Sequence, residues 1–335
     1  MALISLCMIV KDEAEVLPRA LQNLGAFADE LIIVDTGSTD DTVAIAEAHG
    51  AKVLHYDWQY PGHKGEARNV GVDAATGEWI VVLDADEIIR QPSDLREWLE
   101  SLADRVTAAN VLFENYAEDG RVSLRWYQQR IWRNGTYRYI HREHEMPVPV
   151  NGTDMAEVGC NIVFEHRPPS IREKPKIKPM LDRLIADVEE RPGDAHSLYF
   201  LHRQWLHDEK WQEAINVGER FLAIEGGHNR IECFGNMATA CWHLERTSEA
   251  VVWLHKALAY EPQRRYWWVR IAELQVAMGQ WNTAMAYLRG GYEVWQVHQW
   301  QFEPGVEIGL AAELTQRCQS EIVERTRINE GRNDK

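Results

Sequence analysis

The chain has no apolar run approaching the ~20 residues a membrane-crossing helix needs, so no transmembrane segment is expected and any membrane contact would be peripheral. It also lacks a basic surplus. A formal charge of −16 argues against a general nucleic-acid or anionic-membrane surface. Cysteine is sparse: Cys7, Cys160, Cys233, Cys241 and Cys318 show neither zinc-site nor disulfide-framework spacing, which reads as reduced thiols in a cytoplasmic protein. The apolar first ten residues have no basic leader or cleavage site and run into Lys11-Asp12-Glu13, as a strand would rather than a signal peptide. Wholesale disorder is excluded by a hydrophobic content of 45%, and 335 residues leave room for two domains of roughly 100 to 200 residues each.

The first half alternates short apolar runs with helical patterns, which predicts an α/β domain with a mainly parallel sheet over residues 1–167. Strands are expected at 4–10, 31–34, 52–56, 79–83, 110–116 and 161–165. Helices are expected at 14–24, up to about His49, at about 65–75 and at 95–102, with Ser38 or Thr39 capping the second. Residues 168–180 mix Pro168, Pro169, Pro175 and Pro179 with Arg172, Lys174, Lys176 and Lys178, a basic, proline-rich linker. Residues 181–330 read as helical repeats. Ala214, Ala250 and Ala284 lie 36 and 34 residues apart at matching points of similar helices, close to the tetratricopeptide period. Small residues there let paired helices approach, and residues 306–323 would form a terminal capping helix. Trp242, Trp253, Trp267, Trp268, Trp281, Trp295 and Trp300 are assigned mostly to the core.

The acidic run Asp84-Ala85-Asp86-Glu87 follows the apolar stretch Trp79-Ile80-Val81-Val82-Leu83, placing clustered carboxylates at the carboxyl end of a buried strand. Open α/β sheets bind ligands at that end, and clustered carboxylates suit Mg2+ or Mn2+ holding a diphosphate. Two more strand ends, Lys11-Asp12-Glu13 and Asp35 with its small-residue turn, offer polar groups to the same crevice.

Together, Met8-Ile9-Val10-Lys11-Asp12-Glu13, Val34-Asp35-Thr36-Gly37-Ser38-Thr39-Asp40, Glu66-Ala67-Arg68-Asn69 and Leu83-Asp84-Ala85-Asp86-Glu87 resemble the family-2 glycosyltransferases of GT-A fold over roughly the first 170 residues. Relatives with tetratricopeptide repeats downstream include the peptide S-glycosyltransferases of bacteriocin biosynthesis. The resemblance implies a Rossmann-like GT-A domain and inverting, metal-dependent sugar transfer from a nucleotide-sugar donor, most often a UDP-sugar. By that resemblance Asp35 would bind the base, with Asp12 near the same pocket. Arg68 would approach base or phosphates, Asp84 the ribose or the metal, and Asp86 the metal, Mn2+ or Mg2+. His166 would complete the metal shell. The catalytic base would be Glu145, of His144-Glu145, with Glu143 as the alternative. The acceptor would be a peptide, protein or glycan presented by the repeats.

Between residues 121 and 142, six arginines interleave with Trp126, Tyr127, Trp132, Tyr137 and Tyr139 without a single carboxylate. This island fits a grip on the donor diphosphate, pairing with the acidic remainder of the fold, or a groove for a polyanionic acceptor such as modified DNA. The rival functions are a sugar nucleotidyltransferase and a non-catalytic repeat adaptor.

Overall fold

A computed structural model of the chain describes residues 4–24, 27–117, 119–150, 156–167, 177–298 and 305–333. It divides into two units, residues 1–187 and 188–335.

The first unit is built on an eight-stranded sheet of order β3-β2-β1-β4-β7-β6-β10-β5. Its strands are β1 (Ile4–Val10), β2 (Glu30–Asp35), β3 (Lys52–His55), β4 (Trp79–Val82), β5 (Glu87–Ile89), β6 (Ala108–Tyr116), β7 (Val122–Arg133) and β10 (Glu157–His166), while β8 (Tyr137–Ile140) and β9 (Met146–Pro149) form a separate antiparallel pair. The first four strands in this order run parallel, and β1 and β4 are apolar and buried along almost their whole length because helices cover parallel sheets on both faces. Beyond β4 the sheet is mixed: β7 is antiparallel to both β4 and β6, β10 is parallel to β6, and β5 is antiparallel to β10. The sequence reading anticipated neither β7 nor this change of direction.

Helices α1 (Leu17–Leu24), α2 (Thr42–Ala48), α3 (Lys64–Ala74) and α4 (Pro92–Ser101) connect the strands. Leu17, Ala20, Leu21 and Leu24 of α1 are buried at helical spacing and join the main core with Met8, Ile33, Val81 and Phe164. The cap expected from Ser38 or Thr39 does not form, and Asp41 stands at the N-cap of α2 without a side-chain bond. The amide of Thr42 donates to Asp40 Oδ1 at 2.9 Å, while Ser38 Oγ accepts from the Asp12 amide at 3.0 Å. Residues 168–176 of the expected linker lie outside the described residues, and its remainder belongs to helix α5 (Ile177–Glu190).

The second unit is helical: α6 (Ala195–His207), α7 (Trp211–Leu222), α8 (Arg230–His243), α9 (Thr247–Tyr260), α10 (Arg265–Ala277), α11 (Trp281–His298) and α12 (Gly305–Asn333). The pairs α6/α7, α8/α9 and α10/α11 share one turn. Glu209, Glu245 and Gly279 each take the left-handed conformation (φ 57°, 61° and 70°). In each turn the next amide donates five residues back at 2.8 Å, from Lys210 to Trp205, Arg246 to Cys241 and Gln280 to Gln275. The crossing alanines Ala214, Ala250 and Ala284 are fully buried. On α12, Ala311, Leu314 and Cys318 pack with Ala272, Met285 and Leu288, covering the last pair as a cap should. The tryptophans depart from the expectation of core. Among those whose side chains are described, Trp267 is buried, Trp253, Trp268 and Trp281 are half-buried, and Trp242 is exposed, because small residues rather than indoles fill the crossings. The side chains of Trp295 and Trp300 lie outside the described residues.

Candidate active site

A cleft of 450 Å³ opens at the carboxyl ends of β1, β2 and β4. Asp84 and Asp86 both line it, as do Arg68, Glu145 and His166. Chain separation does not predict this meeting: Arg68 and Glu145 are 77 residues apart, Asp86 and His166 80.

Arg68, on α3 and 7% exposed, links two carboxylates: Nε donates to Glu145 Oε1 at 2.8 Å and Nη2 to Asp84 Oδ1 at 2.7 Å. The other Asp84 oxygen faces Arg130 Nη2 at 3.5 Å. Burial pushes the Asp84 carboxyl up, but the two guanidinium groups overcome it and hold the group well below the usual carboxylate range. Asp84, expected to help hold a metal, is thus anchored by arginines. Glu87 accepts from Arg130 at 2.9 Å and from the Asp84 amide at 2.9 Å; burial, with Asp84 and Asp86 beside it, raises its carboxyl to about 7 despite Arg130.

On the other side of the acidic run, Asp86 Oδ2 faces His166 Nε2 at 3.2 Å, and His166 Nδ1 meets Asn115 Oδ1 at 2.6 Å. The bond to Asp86 raises the imidazole's pKa, and burial opposes it. Adjacent ligands of an octahedral ion at about 2.1 Å lie about 3.0 Å apart, so this pair has the spacing of two neighbouring positions. Carboxylate with imidazole suits Mn2+ better than Mg2+. Among the described residues no group of three or more His, Cys, Asp or Glu could hold a metal ion, so the remaining ligands would have to be donor oxygens or water.

Glu145 lines the cleft; Glu143 does not. Glu143 is buried between Lys64 and Arg183, whose Nε lies 2.6 Å from it, and these cations hold its carboxyl below the usual range although burial pushes it up. Asp12 (φ 53°) spends its carboxylate on Thr39, accepting from the amide at 2.6 Å and the hydroxyl at 3.1 Å. Asp35 is buried and accepts from the amides of Gly37 and Ser38 at 3.1 and 3.0 Å, with His55 Nδ1 at 3.4 Å. Burial raises the Asp35 carboxyl, and the Ser38 and Gly37 bonds bring it below its ordinary value. Neither Asp12 nor Asp35 is among the cleft's lining residues.

All six arginines of the island pair with carboxylates of the same unit: Arg121 with Asp119, Arg125 with Glu114, Arg130 with Glu87, Arg133 with Glu78, Arg138 with Asp73 and Arg142 with Asp187. The sequence reading gave no site role to Asn115 or Trp58, and named Glu87 and Arg130 only as members of the acidic run and the arginine island. Glu87 was legible beside Asp86, whereas Asn115 carries no signal beyond ending β6. A larger hollow of 680 Å³ in the second unit is lined by Asn236, Tyr260, Arg264 and Trp267. Its carboxylates Glu232 and Glu261 pair with Arg203 and Arg264.

Parallel strands opening on a carboxylate-lined cleft and continued by a mixed half-sheet define a GT-A-like domain. Residues 5–166 match the model for Glycosyl transferase family 2, and the amino-terminal unit belongs to that family, followed by tetratricopeptide-like repeats. The chain is 54% identical over 102 residues to a TPR repeat-containing protein of Synechococcus elongatus, covering 30% of this chain and 25% of that one. It is 46% identical over 85 residues to an uncharacterized glycosyltransferase of Rickettsia felis, covering 25% and 29%. The matches therefore span about a quarter of these relatives' lengths. Among solved structures, glucosyl-3-phosphoglycerate synthase from Mycobacterium tuberculosis, in complex with Mn2+, uridine-diphosphate and glucosyl-3-phosphoglycerate, shares 24% identity with a TM-score of 0.29 over 33% of this chain and 44% of that one. No described helix is long and apolar enough to cross a membrane.

Proposed function

We propose that the chain transfers a sugar, with inversion, from a nucleotide-sugar donor, a UDP-sugar being the first candidate, to a peptide, protein or glycan acceptor. The observation that carries this reading is the meeting of Asp86 with His166, and of Arg68 with Glu145 and Asp84, in one cleft of a family 2 domain.

Asp86 and His166 would hold the divalent cation, with Asn115 fixing the imidazole ring by its bond to Nδ1. When bound, that ion offsets the charge that gathers on the departing diphosphate. Arg68 would add fixed positive charge beside the phosphates. Asp84 would hold the guanidinium in place, which departs from its expected part in metal binding. Glu145 would accept the acceptor's proton, being the member of the Glu143/Glu145 pair that reaches the cleft. Asp12 and Asp35 would act through the loops they brace. The 680 Å³ hollow of the repeats, with Asn236 and Arg264 beside Tyr260 and Trp267, is where an acceptor segment would be gripped.

The test is a panel of nucleotide sugars with Mn2+, scored for release of nucleoside diphosphate, which separates this reaction from the pyrophosphate release of a nucleotidyltransferase. Asp86→Ala is expected to lower metal-dependent donor cleavage by at least 1,000-fold, on the order of 4 kcal/mol in the barrier. Glu145→Gln is expected to leave donor affinity unchanged and stop transfer. An Asp86→Ala variant with wild-type turnover would discard the assignment.

A further inference from the structure

We propose that Trp58 is the stacking platform for the donor's nucleobase, an assignment that rests on the nucleotide-sugar reading above. The carboxylates nearest the β1 and β2 ends are already committed, Asp12 to Thr39 and Asp35 to the amides of Gly37 and Ser38. Recognition of a base there needs a flat apolar face as well as hydrogen bonds. Trp58 supplies one: it is half-buried, lines the cleft, and is the one tryptophan, tyrosine or phenylalanine among the described lining residues.

The ring is held rather than merely present. Gly62 (φ +87°) closes the loop with its amide donating to the Gln59 carbonyl at 2.6 Å, and its Cα lies so close to the indole that a Cβ there would sit 2.2 to 2.4 Å from Cε2, Cζ2 and Nε1. Only glycine satisfies both that conformation and that approach. Tyr56 also meets the indole edge-on, ring centres 6.0 Å apart.

The strand order sets the direction of the donor. Asp86 follows β4 and Trp58 follows β3, with β1 and β2 between them, so the two strand ends are three spacings apart, about 14 Å. Phosphates beside Asp86 and His166 would leave the base to lie over the β1 to β3 ends, on the side where Trp58 stands. Stacking tolerates any base, so Trp58 supplies affinity for purine and pyrimidine nucleotides alike and leaves base choice to hydrogen bonds.

The experiment is calorimetric titration of the full chain, in Mn2+, with UDP, with GDP and with inorganic pyrophosphate. Trp58→Ala is expected to weaken UDP and GDP by about 10-fold while pyrophosphate affinity stays at the wild-type value, and Trp58→Phe is expected to recover most of the loss. Gly62→Ala keeps the indole but displaces it, and is expected to show the same base-selective loss, so the proposal remains testable should Trp58→Ala fail to fold. Equal loss for pyrophosphate and nucleotides, or no loss for either, overturns the assignment. A wild-type chain that binds pyrophosphate but neither nucleotide overturns it too. A wild-type chain that binds none of the three removes the donor reading itself and this assignment with it.

Discussion

The two units of this chain are held together over different distances along the sequence. In the first, Arg68 reaches Glu145, Asp86 reaches His166 and Arg142 reaches Asp187, and each pair joins elements that many others separate. In the second, each helix packs chiefly on its neighbours, and each turn within a pair is closed by a bond between residues five apart. Long-range closure lets one cleft gather a glutamate, an arginine and a carboxylate–imidazole pair. Local closure lets a hollow be built by repetition, with no single residue deciding the outcome.

The sharpest way to break that contrast is at Arg68. Arg68→Met leaves Glu145 and Asp84 without the cation that joins them, and removal of one partner from a buried pair costs about 3 to 5 kcal/mol. Denaturant unfolding followed by hydrogen exchange should show the loss confined to amides of residues 4–167, with protection across α8 to α11 unchanged; equal loss in both would erase the distinction. Ala250→Leu tests the other unit. Overpacking a fully buried helix crossing should cost about 1 to 3 kcal/mol, read as lost protection in α8 and α9 while nucleotide binding persists.

A smaller effect separates the units by pH. The Glu143 carboxyl is pushed up by burial but held low by Lys64 and Arg183, so its folded value lies below the unfolded value of about 4.3. The stability it contributes is complete above that unfolded value and disappears as pH falls through the lower folded value. Glu143→Gln should therefore flatten the acid limb of the first unit's stability curve, measured by denaturant titration between about pH 5 and pH 2. An unchanged slope would remove Glu143 from the account. The smallest effect sharpens the comparison: Glu245→Gly relieves a left-handed φ of 61° and should stabilise the repeat unit by about 0.5 to 1 kcal/mol, seen as a rise in Tm. Gly279 already holds the matching position in the third pair.

Much of this was legible beforehand where local pattern and tertiary demand agree. The run from Ile4 to Val10 is a parallel strand with six of its seven residues buried, as a continuous apolar run in an α/β unit predicts. Leu17, Ala20, Leu21 and Leu24 announce a helix by spacing alone, and Asp84 and Asp86 announce a ligand cleft because they follow such a strand. The strand β7 was hidden in plain sight. Val122, Leu124 and Trp126 alternate with polar residues, but attention to the arginines between them left the strand unread; of the uses offered for their charge, the partners Glu114, Glu87 and Glu78 select pairing within the fold. Similarly, Asp12 and Asp35 reveal themselves as loop braces only once their amide donors are seen.

By itself the sequence determined the kinds of element, the repeating helix pairs, the family resemblance and the end of the sheet at which acidic side chains gather, because periodicity and residue type act over a few neighbouring positions. Tertiary structure alone decided which carboxylate faces an arginine and which an imidazole, that Glu145 lines the cleft while Glu143 is locked between Lys64 and Arg183, and that Trp58 lines it too. Those outcomes depend on the meeting of residues far apart in the chain, where burial and opposite charge set the pairing and sequence spacing carries no trace of it.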